Sequence, residues 1–438
     1  MSIGIKKSLI ALSISSALFA PSAFATNGYF AHGYSTAEKG LAGAGVAYSQ
    51  DALASATNPA GLVKVGNRMD IGGALFNPNR QYTASELNTP NGPPAFPIAD
   101  GTYDSSHDYF FIPHFGYNKM LDDSTAVGIA AYGNGGMNTE YGSVPYPLNP
   151  ASPGGTFAAG NAGIDLKQLF INASYAKQIN DKNALGASLI FAYQTFKSEG
   201  LGAFGAAGYS SDPTKLTNND ADSSSGFGVK LGWQGDVHKD VTVGVSYQSK
   251  MAMSEFDDYA GLFAEGGDFD IPATAIVGLA WKTSDRSTLV VDLQQIYYSD
   301  VAAIGNPGLS SLQACGGGDA TSCLGGSNGA GFGYEDMTVL KVGYEWEQND
   351  MTWRVGISKG DQPIPDGEVM LNILAPAVVE THITGGFTMP IDSSSEFSFA
   401  AMYAPSNSVK GPTGFEDSQM VELKMDQFEL QGTYTMKF

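Results

Sequence analysis

Fourteen stretches of this chain alternate apolar with polar residues, and the spacers between them alternate too, short and then long. The stretches lie at 68–81, 109–119, 125–133, 166–179, 184–197, 226–234, 241–251, 274–282, 288–298, 338–347, 351–359, 381–389, 396–404 and 424–438. Successive side chains of a β-strand point to opposite faces, so each stretch offers one apolar face and one polar one. Short turns fall at 180–183, 235–240, 283–287 and 348–350; long connections fall at 134–165, 198–225, 252–273, 299–337, 360–380 and 405–423. A soluble β-sandwich has no need of that rhythm. A membrane-spanning barrel does, because its turns on one side are short, its loops on the other are long, and its strand count is even. The expected fold is all-β, a transmembrane antiparallel β-barrel of about 14 strands over residues 64–438. Both chain ends then lie on the short-turn side.

The two ends agree with this reading. Residues 1–25 carry Lys6 and Lys7, an apolar run from Leu9 to Ala20, and an Ala23-Phe24-Ala25 cleavage site, the three parts of a secretory signal peptide. A run of about 12 apolar residues is too short for a spanning helix, which needs ~20. At the other end Phe428, Leu430, Gly432, Tyr434, Met436 and Phe438 share one face, and Gln427, Glu429, Gln431, Thr433, Thr435 and Lys437 share the other. An alternating strand closed by an aromatic resembles the assembly signal of bacterial outer-membrane barrels, so Phe438 is expected to engage the barrel-assembly machinery. Losing Lys6 and Lys7 takes the formal charge from −21 to −23, which argues against nucleic acid and anionic lipid as partners.

A period of two also assigns faces. Val241, Val243, Val245 and Tyr247 are expected to meet lipid, as are Phe227, Val229, Leu231 and Trp233, with Lys230 inward. Leu340, Val342, Tyr344 and Trp346 face out; Lys341, Glu345 and Arg354 face in. A charge facing lipid at mid-depth costs a few kcal/mol, so strand charges belong in the lumen. Fourteen strands enclose a lumen wide enough to leak, since eight are filled by their own side chains and sixteen leave an aqueous channel. Residues 26–63 are the only unassigned segment on the short-turn side. From Thr26 they read TNGYFAHGYSTAEKGLAGAGVAYSQDALASATNPAGL, too small-residued to form a core of their own and suited to plugging one. The only cysteines, Cys315 and Cys323, close a Gly-rich loop and are expected to form a disulfide. No histidine lies near them, and no metal site or cofactor is expected.

Signal, Gly/Ala-rich plug, fourteen strands and aromatic terminus together resemble the FadL family of outer-membrane long-chain fatty acid transporters. The Asn58-Pro59-Ala60 tripeptide is characteristic of FadL-type hatches, and PHFGYNK at Pro113–Lys119 and GIAAYGNGGMNTEYG at Gly128–Gly142 also look like family segments. The resemblance implies a monomeric bacterial outer-membrane barrel that takes up long-chain fatty acids or other hydrophobic molecules. Extracellular apolar loops, beneath the lipopolysaccharide, would capture substrate; Val144, Pro145, Tyr146, Pro147, Leu148 and Phe157 lie in one, Leu201, Phe204 and Tyr209 in another. The bland alternative is that these residues pack the loops together. Substrate would pass the hatch and leave sideways into outer-membrane lipid through a kink in the third strand. Gly133, Gly135 and Gly136 are the candidates for that opening, or simply the start of a loop.

A carboxylate ligand would want a lumenal cation. Lys341 and Arg354 are expected as near-diagonal partners flanking one carboxylate, unless Arg354 pairs with Glu345; Arg68 and Lys230 are further candidates. Competing functions are a hydrocarbon channel, a general diffusion porin, an adhesin or phage receptor, and an outer-membrane enzyme. The enzyme reading is the weakest: five histidines accompany neither G-x-S-x-G nor H-E-x-x-H.

Overall fold

The computed structural model describes residues 26–86, 98–143, 154–415 and 419–438. The signal segment 1–25 and loop residues Val144, Pro145, Tyr146, Pro147 and Leu148 lie outside the described residues. All fourteen expected strands are present: β1 (Arg68–Ala84), β2 (Phe110–Asp122), β3 (Thr125–Tyr141), β4 (Ala162–Asn180), β5 (Asn183–Glu199), β6 (Asp222–His238) and β7 (Val241–Gln248). They continue as β8 (Thr274–Ser284), β9 (Ser287–Ile296), β10 (Met337–Gln348), β11 (Met351–Gly360), β12 (Thr381–Pro390), β13 (Ser395–Pro412) and β14 (Met420–Lys437). Each pairs antiparallel with the next, and β14 pairs with β1 from Val421↔Ala84 to Lys437↔Arg68. That closure leaves no free end strand, as a span without water to satisfy its backbone requires.

Several strands run past the expected ends, the longest extensions lying on the long-loop side. β3 reaches Tyr141 instead of stopping at 133, β6 starts at Asp222 instead of 226, and β13 runs to Pro412 instead of 404. The physical reason is visible in Asp222-Ser223-Ser224-Ser225, which pair with Phe196 to Tyr193 of β5. Above the bilayer no lipid demands an apolar face, so hydrophobic alternation stops while the hydrogen-bonded ladder continues.

The assigned faces hold. Phe227, Val229 and Leu231 of β6, Leu340 of β10 and Val355 and Ile357 of β11 are exposed on the outer wall. Arg68, Lys230, Lys341, Glu345 and Arg354 are buried on the inner one.

Candidate functional site

The N-terminal segment contacts inner-face side chains of strands on every side of the barrel, and so crosses the lumen. Its short turns are locally determined. Ser35 caps the helix Thr36–Gly40 by accepting from the Glu38 N–H at 3.1 Å. Asn58 ends the turn Ala54–Thr57 and caps Pro59–Gly61, its Oδ1 accepting from the Ala60 N–H at 3.1 Å. Its Nδ2 donates to Val46 O at 2.7 Å and to Trp233 O of β6 at 3.0 Å. The wall must be smooth for this tripeptide to lie flat on it. A Cβ at Gly232 would stand 1.9 Å from Asn58 Oδ1, and one at Gly186 would stand 2.3 Å from the Ala60 nitrogen.

Barrel charges grip this segment. Asp292 of β9 accepts from the Gly45 and Val46 N–H groups at 2.8 and 2.9 Å. Lys341 of β10 donates to His32 O at 3.0 Å and Gly43 O at 3.2 Å. Lys39 forms a buried ion pair with Glu429 of β14, and Lys230 donates to Ala56 O. Arg354 pairs with Glu345 at 2.7 Å and holds Gln50 Oε1 at 2.6 Å. Arg68 meets Asp70 at 2.9 Å and Gln50 O at 2.8 Å.

The expected two-cation cradle is therefore corrected. Lys341 stands opposite Ser358, and Arg354 stands opposite Glu345. Four register steps separate them, roughly 13 Å along the strands. Each is engaged by the N-terminal segment or by a neighbouring carboxylate.

The third strand departs from the regular wall. The β2–β3 ladder runs from Asp122↔Thr125 to Phe115↔Ala131 and goes no further, although β2 stays paired to β1 as far as Phe110. Just beyond, an extra residue enters β3, so that Gly133 faces Leu169 and Gly135 faces Gln168. Such a bulge bends a strand. Beyond the bend β3 takes a new partner: Gly135 pairs with Phe30 of the N-terminal segment, and the Gly136 N–H donates to Tyr29 O at 3.0 Å. A Cβ at Gly135 would lie 2.3 Å from that carbonyl oxygen. Higher still, the wall is rejoined where Ser106 N donates to Glu140 O at 2.9 Å. The result is a window, framed below by the β2–β3 ladder and above by residues 105–106 against 140. Gly133, Gly135 and Gly136 thus lie inside β3 and do not begin a loop.

Behind the window lies a small cavity of about 30 Å³, lined by Tyr29, Phe76, Arg80, Met137, Tyr334 and Met425 among others. A second apolar cavity, also of about 30 Å³, lies among the long loops, between Ile164, Phe196, Leu201, Phe263, Phe332 and Leu374. Phe157 and Phe204 stack edge-to-face on each other at 5.6 Å, both buried. Tyr29, Tyr298 and Tyr334 form a chain of rings with centroids 5.3 and 5.6 Å apart. Cys315 and Cys323 are joined, their Cα atoms 4.8 Å apart, in the loop that follows β9. Arg80, Tyr29 and Met137 were not singled out from sequence. Arg80 carried a usable signal, since it shares the inward parity of Arg68.

The comparisons fit this geometry. The solved structure of the Pseudomonas putida toluene transporter TodX superposes with a TM-score of 0.66 at 19% identity, covering 93% of this chain and 99% of that one. A FadL homologue from Pseudomonas aeruginosa gives 0.67 at 15% identity, covering 94% and 100%. The Ralstonia pickettii toluene transporter TbuX gives 0.62 at 18% identity, covering 93% and 99%. No curated protein sequence matches. At these identities the superpositions carry the fold alone. The family model described as outer membrane protein transport protein (OMPP1/FadL/TodX) matches residues 16–432, and on that match the chain belongs to this family of outer-membrane transporters of hydrophobic compounds.

Proposed function

We propose that this barrel carries long-chain fatty acids or related hydrophobic molecules passively across the outer membrane, working as a monomer. Substrate enters the apolar cavity among the loops, beneath the lipopolysaccharide, and moves to the cavity behind the window. It leaves sideways between β2 and β3 into the bilayer, with residues 26–63 acting as the hatch that denies it a direct path to the periplasm. The observation that carries this reading is the interrupted β2–β3 ladder beside an apolar cavity, with Phe30 of the hatch in the place β2 has left. The driving logic is simple: each CH₂ kept out of water is worth roughly 0.8 kcal/mol, and lateral release keeps that gain where periplasmic release forfeits it. Binding and passage are the activity, not catalysis. Phe438, stacked on Tyr117 at 5.7 Å, closes the last strand and serves recognition by the assembly machinery.

A second reading, uptake of neutral hydrocarbons, draws support from the relatives named as toluene transporters. For either, the window is tested by deleting Asn134, the residue that makes the bulge. Expected is loss of radiolabelled palmitate and hexadecane uptake by cells whose barrel still folds, shown by heat-dependent gel mobility. Undiminished uptake by the folded deletion variant removes the lateral route.

A further inference from the structure

The cavity behind the window holds one feature that an uptake path for neutral molecules does not need. Arg80 is 5% exposed, lines that cavity, and among the described residues makes no ion pair. The other inward cations differ: Lys39, Arg68 and Arg354 each meet a carboxylate, and Lys230 and Lys341 each meet backbone carbonyls of the N-terminal segment. A guanidinium carries five N–H donors and no acceptor. In Arg80, Nη1 donates to Asn138 O, and Nη2 donates to His107 O and, at 3.5 Å, to Ser105 Oγ. Among the described residues its Nε is buried with no partner. Its Cζ lies 5.7 Å from the centre of the Phe110 ring, and Asp108 acts on it only through space. Phe76, Met137, Met425 and Ala377 supply apolar walls around it.

A buried charge with unfilled donors is unfavourable until an anion completes it. Among small anions a carboxylate suits the planar fork best, because it accepts two parallel N–H bonds. The geometry points to Arg80 as the specificity residue of this chain: it receives the carboxylate head of a long-chain fatty acid whose tail lies among Phe76, Met137 and Met425. This rests on the reading of the cavity as a substrate site, and it chooses the substrate class within that reading. Toluene or an alkane offers nothing to the donors.

Arg80 also ties residues 105–107 to Asn138, so a purely structural role must be separable. The test measures binding of palmitate and of 1-hexadecanol, equal in chain length and differing in charge, to the full-length barrel purified in detergent. Arg80→Met is expected to weaken palmitate by about 30-fold or more, the loss typical when one partner of a buried charge pair is removed. Hexadecanol is expected to change by less than about threefold, and Arg80→Lys to fall between, because it keeps the charge and loses the fork. Should Arg80→Met not fold, the palmitate-to-hexadecanol ratio of Arg80→Lys carries the test. Equal weakening of both ligands assigns Arg80 to structure and overturns the proposal. So does a palmitate-to-hexadecanol ratio left unchanged by Arg80→Met and Arg80→Lys, once Ala377→Trp, which fills the cavity, has abolished binding of both and so shown that they bind there. If Ala377→Trp leaves both ligands bound, the cavity reading itself falls.

Discussion

Asn58 is the residue whose loss should most cleanly release the N-terminal segment from the wall. Replacing it with Ala removes three hydrogen bonds, to Val46 O, to Trp233 O and from the Ala60 N–H. Val46 O keeps a partner, since Gln234 Nε2 also donates to it at 3.0 Å. At about 1 kcal/mol net for each bond, with the Val46 loss discounted, the docked state weakens by about 2–3 kcal/mol. That is roughly 30- to 150-fold in the undocking equilibrium. The assay uses Ser55→Cys, a near-isosteric change at a buried hydroxyl without a hydrogen-bond partner. Both native cysteines are in the disulfide, so the new thiol labels alone. Maleimide reacts with it only when the segment opens, and its labelling rate reports the open fraction. Asn58→Ala should raise that rate roughly 30- to 150-fold. Asn58→Asp, which keeps the acceptor for Ala60 and loses both donations, should raise it less. A rate within threefold of the parent's would refute the claim that this tripeptide holds the segment down.

Three further outcomes follow from the same geometry. Lys341→Ala with Arg354→Ala should also raise Ser55→Cys labelling, because breaking buried charge contacts is strongly destabilising; the palmitate-to-hexadecanol binding ratio should stay as it is. Gly135→Val places side-chain atoms against Tyr29 O and should cut palmitate uptake roughly tenfold through the strain of overpacking, read against surface expression. In the loop after β7, burial beside Asp270 pushes Asp268 up to about 7. A raised carboxylate pKa means that the folded loop binds its proton more tightly than the unfolded chain does. The loop is therefore steadier below that value and loosens as pH rises through 7. Protease nicking within residues 254–270 should be faster at about pH 8 than at about pH 5, and the opposite order would contradict this assignment.

How much of this could be read from sequence depends on what repeats. Strand number, order and facing follow from a local rule, the period of two under a lipid boundary, and all fourteen strands and their inward charges followed from it. The rule ends where lipid ends, which is why β3 and β6 run beyond their expected limits. Gly133, Gly135 and Gly136 could be placed near a strand end, but the bend itself depends on Phe30 displacing β2, a contact between residues more than a hundred positions apart.

Inward charge is where the sequence misleads, and the reason is geometric. Alternation tells which face a side chain takes but not what stands opposite it at that height. Lys341, Arg354 and Arg80 have the same facing and nearly the same burial. The first is set against His32 and Gly43 of the N-terminal segment, the second against Glu345 and Gln50, and of the three only Arg80 lines an apolar cavity. A cation low in the barrel meets the N-terminal segment, which supplies carbonyls and leaves no donor for a substrate. Arg80, near the loop end of β1, lies level with the bend in β3 and beside Tyr29 of that segment, where the lumen is lined by Phe, Met and Tyr. What each cation faces, and not its parity along the strand, therefore separates anchoring charges from a selecting one.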